Sequence, residues 1–117
     1  MSAVTTHVLD TGSGRPASGV RVRLEGRDDG PAGSATGGWR ELSTAATDDD
    51  GRVRELGPDR LAPGTYRLVF ETGSWYAGRG VTAFHPEVAV AFTVTDEEHL
   101  HVPLLLAPFA YSTYRGS

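Results

Sequence analysis

At 117 residues, with 38 % hydrophobic and 22 % charged residues, the chain has the size and composition of one globular domain and lacks the profile of a disordered or membrane-embedded protein. Its net charge of −4 removes the basic footprint that nucleic-acid binding requires. The absence of cysteine excludes disulfides, thiolate metal sites and cysteine nucleophiles. Residues 1–10 have neither the basic start nor the apolar core of a secretory signal, and the apolar run at 102–108 is too short to cross a bilayer. A cytoplasmic protein with no membrane partner is the expectation.

Strand-sized segments follow one another along the chain. Residues 5–9 are β-branched and extended in character, and 10–14 make a turn. In 20–25, Val20, Val22 and Leu24 alternate with Arg21, Arg23 and Glu25, which predicts a strand with one buried face. Residues 26–38, rich in Gly, Asp, Ser and Ala, read as a long flexible loop. A strand resumes over 39–46, and 47–52 form a turn in which Gly51 is free to take positive φ. Residues 57–64 are irregular, and 66–71 alternate again. A short helix is expected at 74–78, capped by Ser74 and stopped by Gly78 and Gly80. Residues 88–94 put Val88, Val90, Phe92 and Val94 on one face; 96–98 turn; and 99–106 form the last long strand. Its centre, 102–106, is apolar on both faces, so both must be covered. Short strands with turn-rich connections and no crossover helices predict an all-β sandwich over residues 1–117, a single domain.

Several residues can carry chemistry. His99 and His101, two apart on a strand, share a face, a spacing able to ligate zinc but weak alone, without an obvious third ligand nearby in sequence. His7, inside the apolar first strand, is either a packed histidine or a general acid or base, because imidazole titrates near neutral pH. His85, before Pro86, reads as structural. Arg52 is either a solvated turn residue or an anion clamp. Asp48, Asp49 and Asp50 read as a solvated turn rather than a carboxylate dyad or calcium loop. Tyr111 and Tyr114 give the C-terminal segment more order than a frayed end, so Arg115 and the Ser117 carboxylate can lie against a site.

Thr6-His7-Val8-Leu9-Asp10, Gly14-Arg15-Pro16-Ala17, the turn at 47–52, and the stretch from His101-Val102-Pro103-Leu104-Leu105-Leu106-Ala107-Pro108 through Tyr111-Ser112-Thr113-Tyr114-Arg115-Gly116-Ser117 resemble the 5-hydroxyisourate hydrolases, a family related to transthyretin. The terminal Tyr-Arg-Gly-Ser separates these hydrolases from transthyretin itself, and the resemblance spans essentially the whole chain. It implies a transthyretin-like Greek-key β-sandwich with one short helix, assembled as a homotetramer with active sites in a channel between dimers. It also implies catalytic roles for His7, Arg52 and His101, and substrate binding by His7, Arg52, Tyr114, Arg115 and Ser117, with no metal and no cofactor. His99 is then the neighbour of a catalytic histidine. The implied substrate is the small molecule 5-hydroxyisourate, opened between N1 and C6 on the route from urate to allantoin. One departure is the segment 26–38, which is longer than the pattern and carries none of the matched residues.

The implied mechanism has His7 or His101 taking a proton from water while Arg52 meets the charge developing on oxygen and the tail closes the pocket. Three other readings stand beside it: a non-catalytic carrier of the transthyretin type, a structural sandwich module, and a zinc hydrolase.

Overall fold

The computed structural model describes residues 2–29, 35–96 and 99–117. In chain order the elements are β1 (Val4–Asp10), β2 (Arg15–Pro16), β3 (Arg21–Asp29), β4 (Ala35–Ala46), β5 (Arg52–Leu56), β6 (Gly64–Phe70), α1 (Thr72–Ala77), β7 (Val88–Val94), β8 (Leu100–Ala107) and β9 (Ala110–Thr113). One sheet runs β2-β1-β8-β9, with β5 also pairing β1; the other runs β4-β3-β6-β7. This is the all-β sandwich with one short helix that the alternating segments predict.

The period-2 patterns become the core because each strand turns one set of side chains to the opposing sheet. Val4 and Val8 of β1 and Leu104 and Leu106 of β8 meet Val22 and Leu24 of β3, Leu68 and Phe70 of β6, and Val88 of β7, all buried. The outward face of the apolar stretch 102–106 is covered in part by the chain itself. Pro103 is buried, with Gly116 of the tail against it, whereas Leu105 stays half-exposed.

The flexible loop expected at 26–38 is a misreading wherever the chain is described. Residues 26–29 continue β3 and 35–38 open β4; residues 30–34 lie outside the described residues. Gly26 pairs with Arg40 and Arg27 with Trp39. Gly26 is buried, and a Cβ there would come within 3.3 Å of Leu42 Cδ1 and 3.4 Å of Tyr66 Cε2. Glycine here lets side chains from two neighbouring strands close over the backbone, a role that outweighs its poor strand propensity.

The helix also begins earlier than its capping signal suggests, at Thr72 rather than Ser74, with Glu71 at the N-cap making no side-chain cap bond. Tertiary contacts hold it instead. Trp75 Nε1 donates to Ser18 O at 2.7 Å, and the Tyr76 hydroxyl donates to Asp10 Oδ1 at 3.2 Å. Burial, and then the nearby Asp10 carboxylate, push the Tyr76 phenol up to about 12, so it stays a donor at neutral pH. The turn 96–98 falls largely outside the described residues.

Candidate active site

On β1 the inward set is Val4, Thr6 and Val8, so Thr5, His7 and Leu9 face outward. β8 lies parallel to β1 with Thr5 opposite His101 and His7 opposite Pro103. On the other flank β5 is antiparallel, with Arg52 opposite His7. Two long-range pairings thus set Arg52, His7 and His101 on one outer sheet face, His7 directly across from Arg52 and diagonal to His101. The β1–β5 register shifts between Val4 and Thr6, giving β5 an extra residue. Such bulges re-aim side chains, and here Arg54 and Glu55 both reach the same cleft.

That cleft has a volume of about 540 Å³ and is lined by Thr5, Arg52, Arg54, His99, His101 and Ser117, among others. Arg52 is aimed by the turn before it. Asp48 Oδ1 accepts from the backbone N–H groups of Asp50 at 2.8 Å and Arg52 at 3.0 Å, and Gly51 takes φ +75°. A side chain at 51 would collide with Val8 O. The backbone N–H of Arg52, followed by that of Asp50, holds the Asp48 carboxyl below the usual carboxylate range, against a slight desolvation. Asp48 is therefore more than a solvated turn residue: it fixes the entry to the strand that carries Arg52. The Asp-x-x-Gly spacing is the sequence signal for this role.

Within the cleft, Thr5 Oγ1 lies 2.8 Å from His101 Nδ1 and 3.3 Å from His99 Nε2. The two histidines of the His-x-His pair therefore meet at a hydroxyl. Among the described residues, no group of three or more His, Asp or Glu side chains is placed to hold a metal ion. His101 is held below the usual imidazole range first by burial, then by the positive charge of Arg52, with further contributions from His7 and His99; a hydrogen bond to the Thr5 backbone opposes the shift. At neutral pH the ring is uncharged and able to accept a proton.

The tail closes on this ring. Gly116 bridges to His101, its N–H donating to His101 O at 2.8 Å. A Cβ on Gly116 would lie 2.6 Å from His101 Cδ2 and 3.1 Å from Pro103 Cγ. Only glycine lets the backbone pass this close to the imidazole. Gly116→Ala is expected to push the tail off the ring and lower kcat about tenfold or more, since small misplacements in a site carry costs of that order, with Tm nearly unchanged. A rate equal to the parent's would show that the tail tolerates displacement.

Arg52, His101 and Ser117 are brought together in the cleft, and His7 stands beside them on β1. Tyr114 and Arg115 are not in it. They line a second groove of about 300 Å³ with Val90, Phe92, Val102 and Thr113, and His101 borders both spaces. His85, read as structural, packs edge-on against Phe84 and Tyr111 away from the cleft. Sequence reasoning missed Thr5, Arg54 and Glu55. Thr5 was accessible from the two-residue period that places it on the His7 face; the bulge that turns both Arg54 and Glu55 into the cleft has no local signature.

A two-sheet sandwich with an ionisable cluster on one outer face defines a small all-β protein whose site is built on strands rather than on a loop. More narrowly, the chain belongs to the HIUase/Transthyretin family, whose model matches residues 4–116. The 5-hydroxyisourate hydrolase of Mus musculus is 48 % identical over 118 residues, spanning 99 % of this chain and 96 % of that protein. That of Salmonella typhimurium is 44 % identical over 116 residues, spanning 97 % and 80 %. Among solved structures, Klebsiella pneumoniae 5-hydroxyisourate hydrolase is similar with a TM-score of 0.83 at 35 % identity, covering 100 % of this chain and 94 % of the other. Transthyretin from Sparus aurata gives a TM-score of 0.87 at 29 % identity, covering 99 % and 97 %. The backbone is common to both branches of the family, so the side chains of the site must distinguish an enzyme from a carrier.

Proposed function

We propose that the chain hydrolyses 5-hydroxyisourate to 2-oxo-4-hydroxy-4-carboxy-5-ureidoimidazoline, in the degradation of urate to allantoin, within the cytoplasm. The observation that carries this reading is the convergence of a neutral, half-buried His101, the Arg52 guanidinium and the chain end at Ser117 on one cleft. A carrier has no need for a proton acceptor there. The relatives named as 5-hydroxyisourate hydrolases support the choice of substrate.

In the reaction, a histidine takes a proton from water as the water oxygen bonds to C6. The C6 carbonyl electrons move onto oxygen, where Arg52 meets the charge with its fork of donors. Collapse re-forms the carbonyl and breaks the C6–N1 bond. N1 leaves with a proton returned by a histidine, and C6 becomes a carboxylic acid that gives its remaining proton to solvent to form the carboxylate. His101 suits the base role because its environment keeps it unprotonated, and His7, across from Arg52, completes the pair. Ser117 meets the substrate from the tail side, while Tyr114 and Arg115 line the neighbouring groove that His101 also borders. The direct test follows ultraviolet absorbance of freshly generated 5-hydroxyisourate: added protein accelerates its loss if it is an enzyme and leaves the rate unchanged if it is a carrier.

The pH dependence follows from the sign of the His101 shift. Its cation is disfavoured by burial and by the positive charge of Arg52, with further contributions from His7 and His99, so the free base persists at lower pH than an ordinary imidazole allows. The acidic limb of kcat/KM is expected below about pH 6.5, the usual imidazole value. A limb centred above that value would show that His101 is not the base.

The assembly we propose is a homotetramer. Support comes from the aromatic side chains left in water: Phe84 is 71 % exposed and Phe109 68 %, with Tyr111 beside them, alongside the half-exposed Leu105. Large apolar groups clustered in this way are characteristic of surfaces that bury against another chain. Sedimentation at micromolar concentration is expected to give four times the protomer mass; a monodisperse monomer would refute the assembly.

A further inference from the structure

We infer that Thr5 is a positioning residue that sets the proton arrangement of His101, its hydroxyl accepting from Nδ1–H of His101 and donating to Nε2 of His99, so that Nε2 of His101 is the bare, proton-accepting nitrogen. The catalytic consequence rests on the hydrolase reading above; the hydrogen-bond arrangement does not.

A hydroxyl has a single proton, yet Thr5 Oγ1 lies between two imidazole nitrogens, 2.8 Å from His101 Nδ1 and 3.3 Å from His99 Nε2. It can donate to only one of them, and the other must then present an N–H. The shorter contact is with the half-buried ring of His101, so the donor assigned there is Nδ1–H; the hydroxyl proton then goes to His99, which is exposed and free to exchange with water.

The arrangement has two effects on a general base. It fixes the neutral tautomer, because a ring that carries its proton on Nδ1 must leave Nε2 unprotonated. It also strengthens as the base acts: once water has given its proton to Nε2, the ring is a cation, and Nδ1–H to Oγ1 becomes a charge-assisted bond. The parallel β1–β8 register creates the contact by setting Thr5 opposite His101. Threonine's β-branch suits the strand, but the strand does not require the hydroxyl.

The test compares the full-length protein with Thr5→Val, which keeps the shape and removes the hydroxyl, and Thr5→Ser, which keeps the hydroxyl. Nitrogen-15 chemical shifts of His101 report the tautomer in the absence of substrate, and steady-state kinetics report its consequence. The parent is expected to hold the Nδ1–H form and Thr5→Val to lose that preference. Its kcat is expected to fall about tenfold or more, part of the 10²–10⁴ that a well-placed base contributes, with KM within about twofold. Thr5→Ser restores both. A parent ring protonated on Nε2, a Thr5→Val ring that keeps the Nδ1 proton, or a shifted tautomer with unchanged kcat would each overturn the inference. Because the parent tautomer is read without turnover or any variant, it decides the hydrogen-bond arrangement even if Thr5→Val folds poorly. If the parent does not hydrolyse 5-hydroxyisourate, the functional reading fails, and the parent spectrum still decides this one.

Discussion

Deleting residues 114–117 is expected to lower the rate of 5-hydroxyisourate hydrolysis about a hundredfold or more, the scale of losing one preorganised contact to a developing oxyanion, with the sandwich and its assembly preserved. The four residues add almost nothing to the core. Tyr114, Arg115 and Ser117 are exposed, and β9 ends at Thr113 with its pairing to β8 complete. Folding loses the Gly116 to His101 backbone bond, worth about 1 kcal/mol, and some cover over Pro103. A fall of a few degrees in Tm is therefore the expected structural cost. The site loses much more: the backbone lying on the His101 ring and the chain end that lines the cleft both go, and water reaches the groups that act on the carbonyl. Water weakens every electrostatic contact in the site. Initial rate, Tm and sedimentation should be measured on the same preparation. Near-parental activity would show that the tail is not part of the site, and lost activity with a collapsed Tm would make it structural.

Replacing Arg52 separates two effects of one side chain. Its charge lowers the proton affinity of His101, and its fork is placed to bind the oxygen on which charge develops. Arg52→Lys keeps the charge and loses the fork, so kcat/KM is expected to fall about a hundredfold while the acidic limb of the pH profile stays in place. Arg52→Gln loses both. The rate falls similarly, and the limb moves to higher pH, because removing a nearby positive charge makes the imidazolium easier to form. The Asp48 turn uses only the backbone of residue 52, so neither variant should disturb the strand. A limb that moves equally in both variants would show that Arg52 does not act on His101 through its charge. Full activity in Arg52→Lys would remove the guanidinium from oxyanion binding.

The sandwich was legible wherever one face of a strand is buried and the other wet. Val88 through Val94 alternate without exception, and β7 has those same bounds, because an alternating pattern on a pleated strand has only one way to face a core. Much of the candidate site was legible as well, but by another route: the resemblance singled out Arg52, His101 and Ser117, which the fold brings into one cleft, and it also included Tyr114 and Arg115, which the chain places in a neighbouring groove. Glycine misled at 26–38, since a residue counted as a breaker is there the clearance that Leu42 and Tyr66 need.

By itself, then, the sequence determined six of the strands in outline, though not β2, β5 or β9, which of their faces are apolar, and which side chains are able to move a proton or hold an anion. Those are local properties, set by two-residue periodicity and side-chain chemistry. Tertiary structure alone decided that β1 lies parallel to β8 with Thr5 opposite His101, that β5 carries one residue more than β1 beside it, and that Gly116 returns onto the imidazole. Each joins positions far apart in the chain through backbone hydrogen bonds, which carry no residue code. Their register is chosen by the packing of the whole sandwich, and a shift of one residue would turn His7 and His101 into the core.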